Sequence, residues 1–185
     1  EELRNCLALQ GEQATHAFLE LYGFWLGSGA LLDHQAVRFT SQKSEDIDFI
    51  REKVDMLGFH EEIDWVHSDA HSISIINPLW FSYFHTQYVA AAAATQTSHN
   101  MFYSWVLQSC TKHQLRHIIA GLQRAMSNDA NILYTPSSTF RDELMVALLH
   151  AGFSAFFELD AITQQWRISY TDMVSDAPQS SSCYP

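Results

Sequence analysis

The sequence is poor in basic residues. It contains 10 Lys and Arg against 21 Asp and Glu, so its formal net charge at pH 7 is −11. Proteins that bind nucleic acids without sequence preference depend on Lys and Arg contacts to phosphates. The composition therefore argues against a general nucleic-acid-binding protein. Ten histidines are scattered along the chain, and we expect them to be solvated surface residues that form no site.

Cysteines and long apolar runs are also scarce. Cys6, Cys110 and Cys183 are widely spaced and form no CxxC pair, which indicates a reducing, intracellular environment. The longest uncharged stretch is interrupted by His, Asn, Pro, Gln and Ser, so it does not predict a membrane span. The first residues, "EELRNCLALQGEQ", are acidic and polar, which is not typical of a secretory signal.

The chain contains an internal repeat. From Val37 it reads "VRFTSQKSEDIDFIREKVDMLGF", and from Ile132 it reads "ILYTPSSTFRDELMVALLHAGFSAFF". Each copy predicts a short strand, a Ser-rich turn and an amphipathic helix that ends at a glycine, Gly58 or Gly152. Ser44 in the first copy, and Ser138 or Thr139 in the second, are the expected N-caps.

Upstream of each copy lies a helix rich in small residues. The first contains "GFWLGSGAL" from Gly23, and the second contains "IAGLQRAMSN" up to residue 128. If Gly23 is aligned with Gly121, Gly27 falls on Ala125, so both helices carry small residues four positions apart. Because small side chains let two backbones approach closely, this pattern predicts that the two helices cross each other.

The remaining segments complete the predicted organisation. We expect one α/β (α+β) domain over 1–185, with a first repeat at 15–90, a linker at 91–112, a second repeat at 113–175 and a flexible tail at 176–185. Ile73 and Ile75 alternate as a strand before a helix that opens at Pro78. A last strand is predicted around Trp166 to Tyr170.

This succession resembles the LAGLIDADG homing endonucleases of the dodecapeptide type that are found inside inteins. The resemblance covers most of the chain, roughly 18–174. It implies two pseudo-twofold-related αββαββα halves in a monomer that cuts double-stranded DNA with Mg²⁺. It also implies a splicing domain in cis, no membrane partner, and residence in the nucleus or cytoplasm with the host protein.

In that family each paired helix ends with an acidic residue five positions after its first motif glycine. Those positions fall here on Ser28, which Gly29 follows, and on Met126. Both carboxylates are therefore replaced, and we expect a catalytically inert domain with no cofactor. Asp33 and Asp129 are the nearest substitutes, but the register of the helices argues against them.

Basic residues of this chain are few at the positions where the family contacts DNA, so we expect weak or lost DNA binding. Arg38 lies in a predicted strand. Lys43, Lys112 and Arg124 are candidates for basic groups near the site, but the stronger expectation for each of these three is a solvated surface residue. Two alternatives stay open: a non-catalytic structural or protein-binding module kept within an intein, and an enzyme inactivated by design.

Overall fold

A computed structural model describes residues 9–33, 35–95, 102–127 and 129–173 of the chain. The described residues form six helices and seven strands. The helices are α1 (Gly11–Ser28), α2 (Ser44–Met56), α3 (Pro78–Thr95), α4 (Ser104–Ser109), α5 (Lys112–Met126) and α6 (Ser138–His150). The strands are β1 (Gly29–Leu32), β2 (Ala36–Thr40), β3 (Trp65–Asp69), β4 (Ser72–Ile75), β5 (Ile132–Thr135), β6 (Phe153–Leu159) and β7 (Trp166–Asp172). Within the described residues, no helix is both long and apolar enough to span a bilayer.

The first half has the predicted αββαββα order, from α1 to α3. Its four strands form an antiparallel sheet in the order β1-β2-β4-β3. Val37 lies opposite Ile75, and Phe39 lies opposite Ile73. All four side chains are fully buried, so one face of this sheet packs against the helices, as the alternating sequence pattern predicts.

The second half contains one strand fewer than expected. Its sheet has the order β5-β7-β6, which corresponds to β2-β4-β3, and among the described residues no strand corresponds to β1. Seven residues, 29–35, separate α1 from β2, but only five, 127–131, separate α5 from β5. Five residues cannot form a hairpin strand and its return turn. The last helix of this half and the tail at 176–185 would fall outside the described residues.

The helices end at the predicted glycines, but both predicted N-caps are wrong. Gly58 and Gly152 follow the last turns of α2 and α6 with φ of 76° and 81°, the left-handed conformation that glycine adopts without strain. The N-cap of α6 is Ser137, not Ser138 or Thr139, and its hydroxyl accepts a hydrogen bond from the backbone N–H of Phe140 at 3.1 Å. Ser44 is the first residue of α2 and does not cap it.

The segment predicted as a linker is partly helical. The α3 helix opens at Pro78 as expected, capped by the Asn77 side chain, which accepts from the backbone N–H groups of Leu79 and Trp80. It continues past residue 91 to Thr95, and the short α4 helix follows within the same segment. A run of alanines favours helix continuation, because alanine has the highest intrinsic helix propensity.

A single core extends across both halves. The α1 and α5 helices form its centre, with α2 and α3 packed on the first sheet and α6 packed on the second. The backbone N–H of Tyr103, which precedes α4, donates to the buried hydroxyl of Tyr22 on α1 at 3.0 Å. The largest buried side chains in this core are Trp65, Trp80, Tyr22, Phe18, Phe24, Phe39, Phe84 and Phe140. The two halves are therefore not independent folding units.

Candidate functional site

The central helices α1 and α5 pack with their backbones in contact. A Cβ atom added at Gly23 would collide with the carbonyl oxygen of Ile118 on α5, and one added at Gly121 would collide with that of Glu20 on α1. The two glycines thus occupy reciprocal positions across the helix pair. This is the crossing that the spacing of small residues predicts, and its close approach requires the missing side chains.

Nearer the carboxyl ends of the helices, the same faces diverge slightly. A Cβ atom at Gly27 would lie 2.7 Å from the Cβ of Ala125 and 2.8 Å from the Cγ of Met126. Gly29 has a different role from its neighbours, because a Cβ there would collide with the indole of Trp25 within the same half. Gly29 therefore makes room for a buried tryptophan and takes no part in the crossing of the helices.

Both helix ends open onto one shallow cleft. It is lined by Ser28 and by the last turn of α5 together with the loop between β2 and α2. Its lining residues are Ser28, Thr40, Ser41, Gln42, Lys43, Asp46, Arg124, Ala125, Met126 and Ser127. The structure thus brings together Ser28 and Met126, the two positions to which the resemblance assigns the family's acids, along with two of the four basic residues singled out in the sequence.

An ion pair between a buried carboxylate and a partly exposed arginine, 38% exposed, forms one wall of this cleft. Arg124 Nε on α5 donates to Asp46 Oδ1 on α2 at 2.8 Å, and the second Asp46 oxygen accepts from the Ser41 hydroxyl at 2.6 Å. Asp46 is only 2% exposed. The Arg124 guanidinium also lies over the Phe49 ring, 4.5 Å from its centroid. Arg124 is therefore a link between the halves, not a solvated surface residue.

The residues at this cleft do not fit the hard divalent cation that the resemblance implies. Mg²⁺ requires oxygen ligands, and carboxylates above all. The Ser28 hydroxyl is neutral and points back along its own helix toward the Phe24 carbonyl oxygen at 3.5 Å, whereas the thioether of Met126 is a soft ligand. Of the described residues lining the cleft, only Asp46 carries a carboxylate, and Ser41 and Arg124 already occupy its two oxygens.

The other predicted site residues lie elsewhere. Asp33 is exposed in the turn after β1. Asp129 is exposed after α5, in a turn where its backbone N–H donates to the Ser127 hydroxyl oxygen and its carbonyl oxygen accepts from the Gln123 side chain. Lys112 is at the opposite end of α5, against Gly152. At about 1.5 Å per residue, this places it about 21 Å along the helix from Met126, so it cannot belong to the cleft.

The sheet surfaces turned away from the helices carry little free positive charge. Arg38 alternates with buried Val37 and Phe39, so it lies on that outer surface. Arg167 is the other basic residue of the described strands, and it pairs with Glu158 at 2.7 Å on the neighbouring strand. The pKa of Asp69 is lowered, first by its hydrogen bond from the His71 backbone and to a smaller degree by Arg38. Arg167 is thus paired with an acid, and Arg38 lies near enough to Asp69 to affect its pKa.

Two groups of functional interest were not predicted from the sequence. Asp46 stands in an acidic first helical turn that resembles many solvated ones, and its partner lies 78 residues away. The other group lies at the far end of the helix pair, where His16 and His117 stack with ring centroids 4.0 Å apart. The spacing of His113 and His117, four residues apart on one helix, was the available signal.

No family model matches the sequence, and neither does any curated protein. Solved structures of the homing endonuclease I-DmoI match the fold. A structure of I-DmoI mesophilic variants aligns with a TM-score of 0.59 at 13% identity, covering 86% of this chain and 90% of that one. I-DmoI in complex with DNA and Mn gives a TM-score of 0.55 at 12% identity, over 85% and 90% of the two chains. I-DmoI with DNA and Ca gives 0.58 at 13% identity, over 86% and 85%.

These alignments extend over nearly the whole of both chains, and they agree with the crossed central helices and the two flanking sheets described above. I-DmoI is a LAGLIDADG homing endonuclease. At sequence identities of 12% to 13%, the similarity establishes a shared fold and not a shared function. The chain therefore has the mixed α/β fold of the LAGLIDADG homing endonucleases.

Proposed function

We propose that this chain is the endonuclease-derived domain of an intein and that it has lost DNA cleavage. The observation that supports the proposal is the cleft at the paired helix ends, which Ser28 and Met126 both line, because the resemblance places the family's two acids at these positions. The order of its segments is most like the endonuclease region of the intein in the large pre-mRNA-processing factor of the fungal spliceosome. Its splicing domain would be present in cis, and it would reside wherever that host protein resides.

The chemistry of the cleft supports the loss of cleavage. Hydrolysis of a phosphodiester needs an activated water and stabilisation of negative charge on the phosphate, which carboxylate-bound cations supply together. A helix carboxyl end is itself the negative end of the helix dipole and repels phosphate. Without bound cations, the ends of α1 and α5 therefore oppose the approach of DNA to the reaction centre.

The ion pair in the cleft provides a second line of support. Asp46 could supply a carboxylate only if Arg124 released it. Because Asp46 is 2% exposed, separating the pair would leave a buried charge unpaired, which costs several kcal/mol. The pair holds the two halves together at the position where an active enzyme would bind metal. We infer that the cleft now serves the stability of the fold.

The charge of the surface indicates weak DNA binding at most. Structures of I-DmoI with DNA suggest double-stranded DNA as the ligand of this fold. Phosphate contacts, however, require uncompensated Lys and Arg. Here the net charge is −11, and Arg167 on the outer surface of the second sheet is paired with Glu158. Any affinity for DNA that remains would be strongly reduced by salt.

A non-catalytic module within an intein is the second candidate. It is favoured by the continuous core, in which the backbone N–H of Tyr103, in the segment between the two repeats, donates to the Tyr22 hydroxyl of the first half. Such a core would be retained if the domain stabilises its host intein even after cleavage is lost. The two candidates agree on the absence of catalysis, and they differ in whether deletion of the domain impairs splicing.

Restoring both acids provides a direct test of the assigned positions. The double variant Ser28→Asp with Met126→Asp is expected to bind Mg²⁺ or Mn²⁺ with a dissociation constant of about 1 mM or lower, since two carboxylates then face one cleft. Isothermal titration calorimetry measures the binding. The matched control, Ser28→Asn with Met126→Asn, has nearly the same shape without charge and should bind neither ion.

The unmodified protein should behave like the asparagine control in this titration. If the aspartate variant folds, as judged by circular dichroism, and still gains no affinity for Mg²⁺ or Mn²⁺, then the two positions do not face a common site and the proposal is wrong. Binding of Mg²⁺ by the unmodified protein at this cleft would also overturn it, because the residues present would then be sufficient.

A further inference from the structure

Three histidines meet at the end of the helix pair opposite the cleft. His16 lies on α1, and His113 and His117 lie one turn apart on α5. One ring nitrogen from each lies within 4.8 Å of the other two, and the Nε2 atoms of His113 and His117 are 3.3 Å apart. Two nitrogens bound to one tetrahedral Zn²⁺ are separated by about 3.3–3.4 Å, given Zn–N distances of about 2.0–2.1 Å. This pair already has that spacing.

A carboxylate holds one of these imidazoles in a fixed orientation, as carboxylates do for metal-binding histidines in many proteins. Glu20 Oε1 lies 2.7 Å from His117 Nδ1. Because a carboxylate only accepts hydrogen bonds, Nδ1 carries a proton, and in the neutral ring the lone pair is then on Nε2, which lies 3.3 Å from His113 Nε2. Glu20 is held in turn by Lys53, whose Nζ lies 3.0 Å from Oε2. A carboxylate behind a metal-binding imidazole fixes its tautomer and raises its basicity.

A second carboxylate beside the cluster also suits a cation. The Glu12 carboxylate, 3.6 Å from His16 Nε2, places negative charge beside the cluster and partly balances an incoming divalent cation.

We propose that His16, His113 and His117 form a Zn²⁺ site that joins the two central helices. Imidazole nitrogen is a preferred ligand of Zn²⁺, whereas Mg²⁺ and Ca²⁺ take oxygen. His16 and His117 are stacked with an angle of 17° between their rings. Since a metal lies in the plane of each imidazole it binds, His16 rotates out of this stack when the ion enters. A water molecule completes the coordination.

This site is independent of the cleft and of the proposed function. Along α5, His113 and His117 precede Met126 by about 14–20 Å. The ion would connect one residue of the first half with two of the second, beside the crossing at Gly121. Binding to the folded state alone stabilises that state in proportion to the ligand concentration. Zinc would thus act as a clamp on the pair of helices.

Zinc titration of the full chain, free of any affinity tag, tests the proposal in the presence of excess Mg²⁺. One Zn²⁺ per chain is expected to bind saturably. At a free concentration 100 times the dissociation constant, it should raise the melting temperature by about 5–10 °C. His113→Gln should weaken binding by more than about 10-fold and remove the rise in melting temperature. His113 is exposed, so this change should leave the fold intact.

Two further variants make the outcome decisive. His60→Gln alters an exposed histidine outside the cluster and should bind zinc as the unmodified protein does. His16→Gln removes the ligand from the other helix and should weaken binding as His113→Gln does. The proposal is overturned if the unmodified protein shows no saturable binding. It is equally overturned if His16→Gln and His113→Gln bind zinc within about twofold of His60→Gln.

Discussion

Replacing Gly121 by leucine is expected to lower the free energy of unfolding by at least about 4 kcal/mol. The Cβ alone would collide with the carbonyl oxygen of Glu20, which is helix backbone and cannot rotate away. The α1 and α5 helices would have to separate, and the core between the two halves would open. Because domains of this size are stable by only about 5–15 kcal/mol, much of the protein would unfold at physiological temperature.

Ala120→Leu is the matched control for this change. Ala120 is the preceding residue of α5 and is exposed, so its variant places the same leucine side chain on the same helix without meeting α1. It should alter stability by no more than about 0.5 kcal/mol. Urea denaturation followed by circular dichroism compares the two. Equal stability of the two variants would show that the helices do not cross at Gly121.

Replacing Arg124 by methionine is expected to cost about 3–5 kcal/mol of stability, because it leaves the Asp46 carboxylate buried without its cation. Methionine keeps the apolar packing on Phe49, so the loss reports the ion pair. Adding Asp46→Asn to this variant should restore a large part of the stability, since the unpaired charge is removed. A double-mutant cycle in urea measures the coupling between the two residues.

Arg51→Met supplies the comparison for an exposed ion pair. Arg51 pairs with Asp48 one turn away on α2, and both side chains are about half exposed or more, at 47% and 65%. Its loss should cost no more than about 1 kcal/mol. If Arg124→Met lowers the free energy of unfolding no more than Arg51→Met does, then the Arg124–Asp46 pair does not hold the two halves together.

The repeat and the crossing of the helices could be predicted because both depend on residues that are close together in the sequence. Small residues four positions apart mark a close helix contact wherever they occur, and the terminal glycines of α2 and α6 mark helix ends by their conformation. The missing strand of the second half was harder to foresee. Its absence depends on a segment that is two residues shorter, at 127–131 against 29–35, and this segment lies between the aligned helices and the aligned repeat copies.

Counting residues along each helix predicted that Ser28 and Met126 occupy equivalent positions, and the structure places both in one cleft. The other residues of the cleft could not be predicted in this way, because they are brought together by the fold from three separate segments. Asp46 and Arg124 are 78 residues apart, and only the approach of α2 to the end of α5 makes them a pair. The histidine cluster was missed for the same reason, since His16 is 97 residues from His113 and joins it only where the two halves meet.

DNA cleavage by the unmodified protein tests the central claim most directly. A plasmid that carries the uninterrupted coding sequence of the proposed host factor is incubated with the protein and Mg²⁺ or Mn²⁺, at low salt to favour binding. The replacement of both acids by Ser28 and Met126 predicts that the plasmid stays supercoiled. Conversion to a single linear species, cut at one position, would contradict the account.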